Sequence, residues 1–146
     1  MEERLYHLAS VFRSAIEGCN FFDDPVFCAF PKGACGDASL LLSMFLRDHR
    51  IGDAEYVLGI SNNGTSHAWL EVGGFIVDIT GDQFTCHPGA PVVVTQDRRW
   101  HCYFQEDYRA SIRIEEYDER TRRRLARLYG TVLACVRKHS ERADIV

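Results

Sequence analysis

The sequence has 146 residues, close to the roughly 150 typical of one domain, and 17 Lys plus Arg against 21 Asp plus Glu leave a formal charge of −4. That balance supplies no global field to draw the chain onto nucleic acid or an anionic membrane, so neither is expected as a partner. Hydrophobic, charged and aromatic shares of 46%, 26% and 12% describe a globular chain rather than a disordered one. Leu5, Leu8, Phe12, Ala15 and Ile16 recur at helical spacing and predict an amphipathic helix over residues 3–18, stopped near Gly18 and Asn20. Residues 20–34 carry Phe21, Phe22, Pro25, Pro31 and Gly33 without a period and read as a loop laid on the body. Residues 38–47 are mostly good helix formers with high apolar density, which predicts a buried helix ending near His49 to Gly52. Strands are predicted at 55–60, 66–72, 75–80, 91–95 and 100–105, separated by Gly, Asn and Pro clusters. A last helix over residues 119–138 puts Leu125, Leu128, Val132 and Cys135 on one face and Arg120, Arg123, Arg124 and Arg127 on the other. This order predicts a single α+β domain with an antiparallel sheet, a central helix packed on it, and flanking N- and C-terminal helices.

The charged start, Met-Glu-Glu-Arg, leads into no uninterrupted apolar stretch, and no run approaches the ~18 residues of a membrane span. The expectation is a cytoplasmic protein. In that compartment Cys19, Cys28, Cys35, Cys86, Cys102 and Cys135 are expected as thiols, most of them small buried hydrophobes, and Asn63-Gly64-Thr65 as an ordinary loop.

One cysteine stands apart. Cys35 lies in Gly-Ala-Cys-Gly-Asp-Ala-Ser, where the loop turns into the central helix. The unpaired N–H groups and positive dipole end of a helix start favour thiolate over thiol, and the same amides point where an oxyanion can form. Gly33 and Gly36 are expected to leave the backbone open to a substrate carbonyl.

A proton carrier comes from a hairpin. Ser-His-Ala-Trp-Leu-Glu-Val runs into Gly73-Gly74 and out through Phe-Ile-Val-Asp-Ile-Thr, two strands joined by a two-residue turn. That turn pairs Val72 with Phe75, Leu70 with Val77 and Ala68 with Ile79 on an apolar face. The other face holds His67, Trp69 and Glu71 against Thr80, Asp78 and Ile76. Asp78 becomes the diagonal neighbour of His67, ~7–8 Å away at the backbone, and can orient the ring. A slip of one residue would bury the His and Asp and expose the apolar set. Cys35, His67 and Asp78 thus form a candidate nucleophile, acid/base and orienting carboxylate.

Gly-Ala-Cys-Gly-Asp-Ala-Ser, Ser-His-Ala-Trp-Leu-Glu-Val and Val-Asp-Ile-Thr together resemble the three motifs of the transglutaminase-like cysteine enzymes, which share a papain-like arrangement. The resemblance covers residues 30–84. It implies Cys35 as nucleophile, His67 as general base and then acid, and Asp78 as the residue that orients His67. It implies a thioester acyl-enzyme formed from a peptide or protein amide, by a protease or acyltransferase, or else a binding module that keeps the scaffold without turnover. Small bacterial relatives include leader peptidases of lasso-peptide pathways, which the Ala-Ser-Leu-Leu-Leu and Ser-His-Ala-Trp-Leu-Glu-Val segments also resemble. No acidic cluster suited to calcium is present, and no cofactor is expected.

Other features read as structural. Cys86-His87 and His101-Cys102 offer metal-ligand types, but adjacent strand residues face opposite ways, so no metal site is expected. Gln83 is read as part of a turn capping a strand rather than as a substrate contact, Trp69 as a wall of the acyl pocket, and Trp100 as packing. The arginine run, interleaved with Glu115, Glu116, Asp118 and Glu119, reads as a solvated face with local ion pairs. No glycine-rich phosphate loop follows a strand, so nucleotide binding has no support.

Overall fold

The structure is a computed structural model that describes residues 1–21, 23–85 and 89–144. Helix α1 (Glu2–Gly18) buries Leu5, Leu8, Ala9, Phe12, Ala15 and Ile16 along one stripe, with Glu2 and Glu3 at the positive end of its dipole. Helix α2 (Cys35–Asp48) is the most deeply enclosed, with Leu40, Leu41, Leu42, Phe45 and Leu46 all buried. Arg50 ends it with a left-handed φ of 59°. There the N–H groups of Arg50 and Ile51 donate to the carbonyls of Arg47 and Leu46, closing the helix as a glycine usually does.

Strands β1 (Glu55–Ile60), β2 (Ser66–Val72), β3 (Phe75–Asp78), β4 (Val93–Thr95) and β5 (Gln105–Ala110) form one antiparallel sheet in the order β4-β3-β2-β1-β5. Helix α3 (Glu119–Asp144) lies against α1 and buries Leu125, Leu128, Tyr129 and Val132. The fold is α+β. Leu70, Val72, Val77 and Ile79 meet the helices on one face of the sheet, while Val57, Trp69, Ile76 and Phe104 form a second cluster on the other. No helix among the described residues is long and apolar enough to cross a membrane.

The hairpin register agrees with expectation: Val72 pairs with Phe75, Glu71 with Ile76 and Leu70 with Val77. Gly73 and Gly74 both have positive φ, 56° and 84°, as a two-residue turn between twisted strands requires. The energetic reason differs, because the His67 face is not the open one. His67 and Asp78 are 0% and 1% exposed, since the chain after β3 folds back across them.

Three expectations need correction at this level. Residues 100–105 are not a strand: His101–Tyr103 is a 3-10 turn and β5 starts at Gln105. His101 and Phe104 both bury toward the second cluster, and positions three apart share a face in a 3-10 turn but not in a strand. The described cysteines are not buried. Cys28 and Cys102 are exposed and Cys19, Cys35 and Cys135 half-buried, because they sit at helix starts, caps, turns and the flank of α3; Cys86 and His87 lie outside the described residues. The arginine face is only partly solvated. Arg123 pairs locally with Glu119 at 2.6 Å, but Arg124 reaches Asp24 at 3.0 Å and Asp37 at 2.7 Å, tying α3 to the loop and first turn around Cys35.

Candidate active site

Cys35 is the first residue of α2, and no side chain caps that helix start. The Ala34 carbonyl accepts the first helical bond, from Ala38 N–H at 2.8 Å, so the amides of residues 35–37 lead the helix without carbonyl partners of their own. Gly33, with φ of 70°, has open space where a side chain would stand. Gly36 does not, contrary to expectation: a Cβ there would meet the Tyr56 hydroxyl at 3.2 Å. The phenol of β1 therefore fills the side of Gly36 that the sequence left free.

Three donors surround Asp78. Oδ1 accepts the Thr80 N–H at 3.0 Å, while Oδ2 accepts from His67 Nε2 at 2.8 Å and from His101 Nε2 at 2.7 Å. An ionised carboxylate only accepts, so each ring carries its proton on Nε2. His67 Nδ1 is consequently the basic nitrogen. Among the described residues it is buried and meets no partner within strict hydrogen-bond geometry, while the Cys35 thiol lies close enough for the two groups to influence each other's charge.

The charges agree with this placement. Burial opposes the Cys35 thiolate, but hydrogen bonding and charge from His67, with N–H groups of Ala68 and Gly36, outweigh it and hold the thiol below its ordinary range. Burial likewise opposes the His67 imidazolium, yet bonds to Asp78 and Cys35 push it up to about 9. Asp78, whose burial would raise its pKa, is held well below the usual carboxylate range by His101 and His67. Tyr56 is pushed up to about 12 by burial and by the nearby Cys35.

Aromatic rings enclose the imidazole. Phe84, Phe104, Trp69 and Trp100 stand 5.1, 5.3, 5.7 and 5.7 Å from the His67 ring between centroids. Trp69 thus shares the face of His67, as expected, and Trp100 packs against the ring itself. Gln83 lies in the 3-10 turn Gly81–Gln83. Its amide caps the strand end by donating to Thr80 O at 3.0 Å, and its carbonyl also accepts the Gly33 N–H at 3.3 Å, linking this turn to the loop before Cys35.

The structure therefore brings together all three residues singled out from sequence and adds His101, which a strand reading had set aside. The available signal was a histidine among aromatics, Trp-His-Cys-Tyr-Phe, but its partner lies 23 positions away. Ligand atoms of His67, Asp78 and His101 lie within 4.8 Å of one another, a donor set of the kind that binds transition metals. Their N···O separations of 2.8 and 2.7 Å are hydrogen-bond lengths. Ligands on a tetrahedral ion with bonds of ~2.1 Å stand about 3.4 Å apart, so the cluster fits shared protons better than an ion.

No protein-family model, curated protein or solved structure matches the chain.

Proposed function

We propose that the chain is a cysteine-dependent enzyme of the transglutaminase-like kind, hydrolysing or transferring the acyl group of a peptide or protein amide through a thioester on Cys35. The observation that carries this reading is the His67–Asp78 bond at 2.8 Å, which places the ring proton on Nε2 and leaves Nδ1 to serve a thiol already shifted toward thiolate. The Cys35 proton passes to Nδ1, and the sulfur adds to the amide carbon. The carbonyl oxygen becomes an oxyanion at the start of α2, where the Cys35 N–H is an unpaired donor. The C–N bond breaks as the imidazolium gives its proton to the leaving amine. Water or an amine then attacks the thioester while His67 accepts its proton, restoring the thiol.

Iodoacetamide at about pH 6, with labelling of each cysteine followed by mass spectrometry, tests this. Cys35 is expected to react first, to slow by about tenfold or more in His67→Ala, and to slow less in Asp78→Ala, since orientation is lost rather than the base itself. Uniform labelling of the accessible cysteines would place the chain among non-catalytic binding modules.

A further inference from the structure

Asp78 Oδ2 holds two imidazoles, and the mechanism above uses one. We infer that His101 is a positioning residue that completes a Cys35–His67–Asp78–His101 arrangement, fixing the Asp78 carboxylate as an anion directed at His67 Nε2. The inference rests on the cysteine-enzyme reading and adds a fourth member to it.

The geometry leaves His101 little else to do. Its ring is 4% exposed, held between Trp69 at 4.9 Å and Trp100 at 4.8 Å. Its Nε2 reaches Asp78 Oδ2 at 2.7 Å, slightly closer than His67 does, and Nδ1 is buried with no hydrogen-bond partner among the described residues. For packing alone an apolar ring would fill the same space without burying polar nitrogens, whereas here Nε2 is engaged by Asp78. Among the described residues, the titratable groups it contacts are Asp78 and His67.

The consequence follows from counting donors. With Thr80 N–H on Oδ1 and two ring N–H groups on Oδ2, the carboxylate is pinned at both oxygens and kept ionised. Remove His101 and the buried anion keeps two donors, its proton affinity rises, and Oδ2 is free to swing out of the His67 ring plane. The Nε2–H tautomer of His67 then has a weaker guarantee, and proton transfer from Cys35 suffers although neither reacting residue was changed.

The test compares His101→Phe with His101→Gln, whose side-chain amide nitrogen reaches about as far as the imidazole Nε2. Alkylation of Cys35 by iodoacetamide is followed from pH 4 to 10. In His101→Phe the acid limb should move to higher pH and the rate at about pH 6 should fall about tenfold, while His101→Gln recovers most of the loss. Unshifted limbs in a folded His101→Phe, or equal defects in both variants, would overturn the inference while leaving selective Cys35 labelling in the unaltered chain, and hence the enzyme reading, intact. Loss of that selectivity in the unaltered chain would instead remove the enzyme reading first. Should His101→Phe not fold, proton NMR of the unaltered chain decides: two exchange-protected imidazole N–H resonances are expected downfield, one of them absent in His101→Gln. A single resonance, or stoichiometric retention of added zinc that His101→Gln abolishes, would overturn the shared-proton arrangement.

Discussion

At His67, burial and charge pull against each other, and the winner can be read from pH. A ring enclosed by four aromatic side chains should lose its proton easily, yet the Asp78 and Cys35 contacts push it up to about 9. With the Cys35 thiol shifted downward, a thiolate–imidazolium pair occupies the window between the two. Above about 9 the imidazolium is lost and with it the attraction for an anionic reagent. The iodoacetate rate at Cys35 should therefore rise below the free-thiol midpoint of about 8.5 and fall again through pH about 9, whereas His67→Ala should show only an ordinary thiol rise. Stopped-flow rates across pH check both limbs. Asp78→Asn is a sharper probe of orientation than truncation. An amide has one acceptor oxygen where the carboxylate has two, so either the Thr80 N–H or the ring N–H groups must face an NH2. The Cys35 rate at about pH 6 should drop about tenfold in that variant. At this scale the sequence was informative for a physical reason: a strict period of two and a Gly-Gly turn fix which side chains share a face. His101 escaped because its role depends on a tight turn that brings together residues remote in sequence.

Between elements, a glycine marks a close fit where β1 passes the turn that carries His101. A Cβ on Gly59 would stand 2.6 Å from Phe104 Cβ and 3.0 Å from Phe104 O, so backbone as well as side chain blocks it. Gly59 also pairs with His67 across β1 and β2, and the β1–β5 ladder shifts register between Leu58 and Gly59. The absent side chain thus lets β5 begin directly after Phe104, whose ring then covers His67 at 5.3 Å. Gly59→Ala should force this corner outward, costing about 1–3 kcal/mol by overpacking. It should also admit solvent to the imidazole, seen as a lower urea midpoint and faster exchange of the His67 ring proton. An unchanged midpoint would mean that Phe104 moves without resistance. A lone glycine inside a predicted strand marks a bulge or a close approach, so Gly59 was visible in the sequence, but the partner it approaches was not. The fifth strand was misplaced for the same reason. Trp100 and Phe104 carry apolar content of that segment that is packed inward, and only the folded chain shows that it turns inward as a 3-10 turn while β5 itself is largely exposed.

Across the whole molecule, a buried cation on the N-terminal helix ties that helix to the far end of β3. Arg13 is 6% exposed on α1. Its guanidinium donates to Asp82 Oδ1 and Oδ2 at 2.6 and 2.8 Å, to Ile79 O at 2.7 Å, to Pro91 O at 3.1 Å and to Glu17 at 2.6 Å, while lying 5.0 Å from the Phe30 ring centroid. These contacts gather the end of β3, the turn at Gly81–Gln83 and the approach to β4 onto α1. The same turn holds Gln83 against Gly33 N–H, and the same strand ends at Asp78. Arg13 therefore joins the end of the strand bearing the carboxylate, at Ile79 O, to the loop that leads to Cys35, at Phe30. The sequence carries no sign of this role, because Ile79 O, Asp82 and Pro91 O reach Arg13 only through the tertiary fold, and Glu17 alone is a helical neighbour. Arg13→Leu would leave two carbonyls and a partly buried carboxylate without their donor, and should cost about 2–4 kcal/mol in urea denaturation with little change in the slope. Arg13→Lys keeps the charge but not the planar fork that serves Asp82 and the two carbonyls together, and should fall between the two. If the site is tensioned through this cation, the Cys35 alkylation rate at about pH 6 should decline in the same order, Arg13 then Lys then Leu, in chains still fully folded at the assay temperature. A stability loss with no change in that rate would confine Arg13 to holding α1 against the sheet, and would leave the spacing of Cys35 and Asp78 to α2 and the hairpin alone.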